Sequence, residues 1–186
     1  MIRNLIVTQL VENTAGGPGL LAEHGVSFHI EADGHSLLFD TGQGIALRHN
    51  VKQLGLRLER VEQIILSHGH YDHAGGLREA LELTGPVALY LHPLALQAKY
   101  NRNGKAIGAP LVDEQFATLI RSRTDTLGTT EIIPGIHVTG QIPRTIPIED
   151  TGGPFYLDAE RTLADPLPDD RVEQCFIYCH IHFIPR

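Results

Sequence analysis

Apolar residues in this chain fall into short runs divided by glycine, proline and polar turns, and their spacing changes from run to run. Residues 4–11 read as a β-strand, and the two runs inside VSFHIEADGHSLLFD (26–40) read as a strand pair. Between those two runs sits Asp33-Gly34, a dipeptide suited to a tight hairpin turn. Over 44–55 the spacing places Ile45, Leu47, Val51 and Leu54 on one rough stripe, which predicts a helix. EQIILS (62–67) and VALYL (87–91) are short and almost wholly apolar, which predicts buried strands. GLREALEL (76–83), stopped by Thr84-Gly85-Pro86, predicts a second helix. Further helices are expected over 93–100 and 113–122, with a loop over 101–110 between them. Short β segments are expected over 129–148, broken by Pro134, Gly135, Pro143 and Pro147, then a loop over 163–170 and a strand over 172–181. Strands alternating with helices predict an α/β fold with helix-covered sheets.

Length and composition narrow this picture. The 186 residues suit a single domain over 1–186, and 42% hydrophobic content allows a sizeable core. No apolar stretch approaches the ~18 residues of a membrane span, so a cytoplasmic protein with no membrane partner is expected. The formal charge is 15 − 22 = −7, with no Lys/Arg block, which disfavours a nucleic-acid partner. Cys175 and Cys179 form no disulfide framework, and an isolated C-x-x-x-C is weak evidence for zinc.

The chemistry concentrates in ILSHGHYDHAGGL (65–77), which places His68, His70, Asp72 and His73 within six positions, directly after an apolar strand and before a helix. Imidazole nitrogen and carboxylate oxygen suit zinc, with iron or manganese as alternatives. In an extended segment positions i and i+2 share a side, so His68 and His70 are placed to grip one ion. Asp72 and His73 fan away from that pair toward a second. Gly69 keeps the turn slim, and Gly75 and Gly76 let the next helix start close beneath the site.

SHGHYDHAGGL and the earlier FDTG (39–42) resemble the signature motifs of the metallo-β-lactamase superfamily. The resemblance implies an αββα sandwich with a mono- or dinuclear metal site at one sheet edge. By that resemblance Asp40 orients the histidine loop from behind the ligands. LVENT, GLLAEHGVSF, FDTGQG, SHGHYDHAGGL, LHP, IGAP and TGQIPR follow the order of one subgroup, which includes a synthase acting on dihydropterin and ribofuranosyl-aminobenzene phosphate groups. The family chemistry then offers two reactions on a small molecule, phosphorylated or pterin-like. One is hydrolysis of an ester, lactone or phosphodiester by metal-activated water. The other is a synthase-type transfer. Asp72, His24 and His92 are the candidate catalytic groups, and Asn13, Glu23, Lys105 and Arg144 the candidate substrate contacts. His29, His35, His49 and His137 read as structural or solvent-facing.

The ending departs from the subgroup pattern. There the Asp-Asp segment leads into an apolar strand and a G-C-x-H-A-G turn. Here Asp169-Asp170 leads into RVEQCFIYCHIHFIPR, where Cys179, His180 and His182 only loosely echo such a turn. The expectation is a sandwich whose second half is incomplete and atypical from about residue 171. Its open sheet edge would invite a second copy, with a non-catalytic or weakly active remnant as the rival to an enzyme.

Overall fold

The computed structural model of the protein describes residues 2–110, 114–141 and 153–169. Strands β1 (Leu5–Val11), β2 (Ser27–Ala32) and β3 (His35–Phe39) form an antiparallel meander. The turn between β2 and β3 is the expected Asp33-Gly34, at φ 48° and 92°. Positive φ at both central residues matches the right-handed twist of a hairpin. The Asp33 carboxylate also accepts the Arg3 and Asn4 backbone N–H groups, closing the start of β1 onto the turn.

From β3 onward the sheet is parallel. β4 (Gln63–Ile65), β5 (Val87–Leu91) and β6 (Ile120–Asp125) follow in order, giving one six-stranded sheet β1-β2-β3-β4-β5-β6. Parallel neighbours need crossovers, and these carry the helices. Helix α1 (Leu47–Gln53) leads toward β4, α2 (Tyr71–Ala74) and α3 (Leu77–Thr84) lead to β5, and α4 (Glu114–Ala117) leads to β6. In α3, Leu77, Ala80, Leu81 and Thr84 are buried, the i, i+3, i+4, i+7 stripe of a helix lying on a sheet.

Two apolar clusters flank the main sheet. One joins Leu38, Ile64 and Leu89 to Leu47, Val51, Leu77 and Leu81 of the helices. The other joins Ile30, Leu37 and Ile65 to Ile132, Ile133, Ile136 and Val138. Those last four belong to a second, two-stranded sheet of β7 (Thr130–Ile133) and β8 (Ile136–Val138). The described layers are therefore helix, sheet and sheet.

Several expectations need correction. Residues 93–100 form turns rather than a helix. The helix expected over 113–122 ends at Ala117, and the chain then enters β6, which pairs in parallel with β5. Ile45, assigned to the buried stripe of α1, is 71% exposed because the helix starts two residues later. Residues 142–148 and the strand expected over 172–181 lie outside the described residues.

The parallel strands decide where the chemistry lies. Asp40 follows β3, the histidine turn follows β4, and His92 follows β5. Side chains at the carboxyl ends of adjacent parallel strands meet in one crevice, where such sheets carry their sites.

Candidate metal centre

Asp40 is the hub beneath the histidine turn. It sits fully buried at φ 56°, a left-handed conformation that Asp tolerates better than most residues. Its Oδ1 accepts the Ser67 backbone N–H at 2.7 Å, and its Oδ2 accepts the Ser67 hydroxyl at 2.6 Å. The same Oδ2 lies 2.8 Å from His73 Nδ1. A carboxylate accepts, so His73 carries its proton on Nδ1 and keeps the Nε2 lone pair outward. The Ser67 hydroxyl hydrogen is engaged in its bond to Asp40, so the Ser67 oxygen accepts from His68 Nδ1 at 3.0 Å. His68 is thereby set in the same tautomer. One buried carboxylate, with Ser67 as relay, leaves the Nε2 lone pairs of two imidazoles facing outward. Sequence pattern points to Asp40 but not to Ser67, whose adjacency to His68 in the strand-ending LSH is the available signal.

The donor atoms of His68, Asp72 and His73 converge, all within 4.8 Å of one another. His68 also meets His70, with Nε2 and Nδ1 3.1 Å apart. Nitrogens bound to one tetrahedral zinc at 2.0–2.1 Å lie about 3.3 Å apart, so this pair is spaced to share an ion. The residues present therefore fit a metal, and His68 stands where the two donor sets meet.

The turn depends on glycine for room. A Cβ on Gly69 would collide with the Ala95 carbonyl oxygen. One on Gly25 would collide with the Asp72 carbonyl, where Gly25 also needs φ 142°.

A family model described as the metallo-beta-lactamase superfamily matches residues 21–161. The chain belongs to that superfamily. Members of the metallo-beta-lactamase superfamily bind metal ions, which agrees with the donor set just described. The chain is 34% identical over 168 residues to an uncharacterized protein, MJ0448, of Methanocaldococcus jannaschii, covering 87% of this chain and 62% of that one. It is 25% identical over 188 residues to the 7,8-dihydropterin-6-methyl-4-(beta-D-ribofuranosyl)-aminobenzene-5'-phosphate synthase of the same organism, covering 91% and 63%. Among solved structures it resembles Tm1679, a metal-dependent hydrolase of the beta-lactamase superfamily. The TM-score is 0.68 and the identity 26%, over 90% of this chain and 59% of that one. The chain thus spans about three fifths of the length of these relatives.

Other residues singled out in the sequence fall into distinct places around this candidate site. His24 lies at its edge, largely exposed, with Nε2 3.3 Å from Asp72 Oδ2. Its Nδ1 lies 3.1 Å from Asn13 Oδ1, which also accepts the Gly25 N–H. Asn13, His24 and Asp72 thus form a chain of contacts from solvent to the donor set. Glu23 has a different task. Its two oxygens accept backbone N–H groups of Gln43, Ile45 and Ala46, tying down the loop between β3 and α1. His92 is buried after β5, and its Nδ1 accepts the Leu94 N–H. Lys105 is exposed on the 101–105 turn. Arg144, Cys175, Cys179, His180 and His182 lie outside the described residues. His29 bonds Ser36, His35 pairs with Glu62, and His49 contacts the Gly19 carbonyl. No helix among the described residues is long and apolar enough to cross a membrane.

Burial holds the His68 imidazole well below the ordinary histidine range, and the charges of His73, His70 and Lys99 add to that. Burial also lowers His70, with Lys99 adding and the carboxylates of Asp72, Asp169 and Asp165 opposing. Neutral imidazole is the form that binds metal. In the metal-free chain the unfolded state takes up protons near pH ~6.5 that folded His68 refuses. The stability contribution is therefore full above about pH 6.5 and is lost as pH falls toward the folded value. Each unit of separation is worth about 1.4 kcal/mol. Chelator-treated wild type is expected to lose Tm more steeply than His68→Gln between about pH 7 and about pH 5. Parallel Tm profiles for the two proteins would contradict this.

Proposed function

We propose that this protein is a metal-dependent enzyme that acts on a small anionic or ester-containing molecule. The observation that carries the reading is the convergence of His68, Asp72 and His73, with Asp40 fixing the outward lone pair of His73. A bound metal, with zinc the first candidate and iron or manganese next, supplies Lewis acidity toward an oxygen of the substrate or of water. His68, His70, Asp72 and His73 hold it. Asp40 and Ser67 keep the imidazoles in the binding tautomer. His24, solvent-exposed and in contact with Asp72, would hand a proton between solvent and the substrate's edge of the site.

Hydrolysis is the first reading, supported by the likeness to the metal-dependent hydrolase over 90% of the chain. Synthase-type transfer is the second, supported by the likeness to the dihydropterin synthase over 91% of the chain. A panel of aryl esters, a lactone, a phosphodiester, and a dihydropterin offered with an aryl-ribose phosphate separates them. The zinc-loaded protein is expected to turn over at least one member, and chelation is expected to abolish that turnover. Turnover that is unchanged after chelation, or absent throughout the panel, would count against the proposal.

A further inference from the structure

Gly69, between the two leading histidines, has both its backbone polar groups engaged by distant parts of the chain. Its carbonyl accepts the Ala109 N–H at 2.8 Å. Its N–H donates to Asp169 Oδ2 at 2.9 Å, a hundred residues downstream. That carboxylate is fully buried, and its other oxygen lies 2.8 Å from Lys99 Nζ. Lys99 is itself 1% exposed and also pairs with buried Asp165 at 3.0 Å.

A buried lysine between two buried carboxylates is expensive to desolvate and is weak evidence for stability as such. Its placement is the informative part. The segment 155–165 pairs back on itself and on Tyr100, through Tyr156 N–H to the Tyr100 carbonyl, Tyr100 N–H to the Tyr156 carbonyl, and Asp165 N–H to the Phe155 carbonyl. Phe155 packs against the His70 ring, with centroids 4.7 Å apart. The Lys99 carbonyl further accepts the Ile107 N–H, and the Ile107 carbonyl accepts the Tyr71 N–H. The ion triad therefore joins three stretches, 99–109, 153–169 and the histidine turn, at Gly69, the one residue that separates His68 from His70.

We propose that Asp169 is a positioning residue for the metal centre. Its carboxylate clamps the Gly69 amide, with Lys99 neutralising its buried charge, so that the downstream segment sets the separation of His68 from His70. This rests on the metal-dependent reading above and extends it to a residue that touches no ligand.

The test compares two full-length variants with the triad neutralised. The first is Lys99→Met/Asp165→Asn/Asp169→Asn, which keeps an oxygen that can accept from Gly69. The second is Lys99→Met/Asp165→Asn/Asp169→Leu, which has none. Removing all three charges together avoids leaving any of them buried and unpaired. Zinc affinity is read by chelator competition, and the cobalt(II) absorption spectrum reports ligand geometry. The first variant, with Asp169→Asn, is expected to stay within a few-fold of wild type. The second, with Asp169→Leu, is expected to bind roughly 10–100-fold more weakly, as when other outer partners of a ligand are lost, and to show a shifted cobalt spectrum. Equal affinities and spectra in the two variants would overturn the proposal. Lack of zinc binding by wild type would overturn the functional reading as well, so the two failures are distinguishable. Amide exchange in the wild-type chain gives a reading independent of any variant. Gly69 N–H is expected to be protected as strongly as the amides of β4, and exchange at open-loop rates would refute the clamp.

Discussion

Replacing His68 and His73 together by alanine is expected to reduce zinc affinity roughly a thousandfold or more, because a catalytic zinc ordinarily needs three protein ligands. The variant leaves Asp72 alone in the convergent set, with His70 deprived of the nitrogen it faces. Turnover on any substrate of the wild type should fall to background. Chelator competition gives the affinity, and circular dichroism shows whether the chain is still folded. The control matters because His73 also touches Asp40, and its removal takes one partner from a buried carboxylate. Asp40 keeps both Ser67 contacts in the variant, so the fold has a route to survive. Zinc affinity close to wild type in a folded double variant would place the metal elsewhere.

Asp40→Asn should be the largest effect from a residue outside the ligand set. Asparagine accepts the left-handed backbone at φ 56°, so main-chain strain is held nearly constant. What changes is the hydrogen-bond logic. One carboxylate oxygen now serves both the Ser67 hydroxyl and His73 Nδ1. If an amide NH2 takes that place, it donates where it must accept. His73 then loses the bond that fixes its tautomer, and Ser67 must turn its hydroxyl, disturbing His68. Metal affinity or turnover should fall roughly 10–100-fold, while Asp40→Glu, too long for the buried slot, should unfold the site. Asp40→Asn with unaltered affinity and rate would reduce Asp40 to a turn former.

The parts of this molecule written in local pattern are readable from sequence. The Asp33-Gly34 turn, the apolar strands β4 and β5, and the 3.6-residue stripe of α3 each carry their signal within a few positions. So does the histidine turn. Strand β6 escapes such reading because IRSRTD has polar residues at positions that an edge strand leaves to solvent, so no alternation marks it. Ile45 misleads because apolar spacing alone cannot say at which residue a helix starts.

The supports of the site are hidden for a different reason. Lys99, in an otherwise ordinary PLALQAKY, reads as a solvated charge until Asp165 and Asp169 arrive from 66 and 70 residues away. Glu23 looks like a cleft residue because its loop neighbours His24, yet its oxygens answer backbone N–H groups twenty and more residues on. Long-range pairs of this kind leave no periodic trace in one sequence.

The proposed metal rests on His68 and His73, with Asp72 between them. Elemental analysis of the wild-type chain and of the His68→Ala/His73→Ala chain, purified side by side and dialysed against the same zinc-containing buffer, tests it most directly. The wild type should retain at least one zinc per chain and the variant close to none. Equal metal in the two proteins, or none in either, would contradict the account.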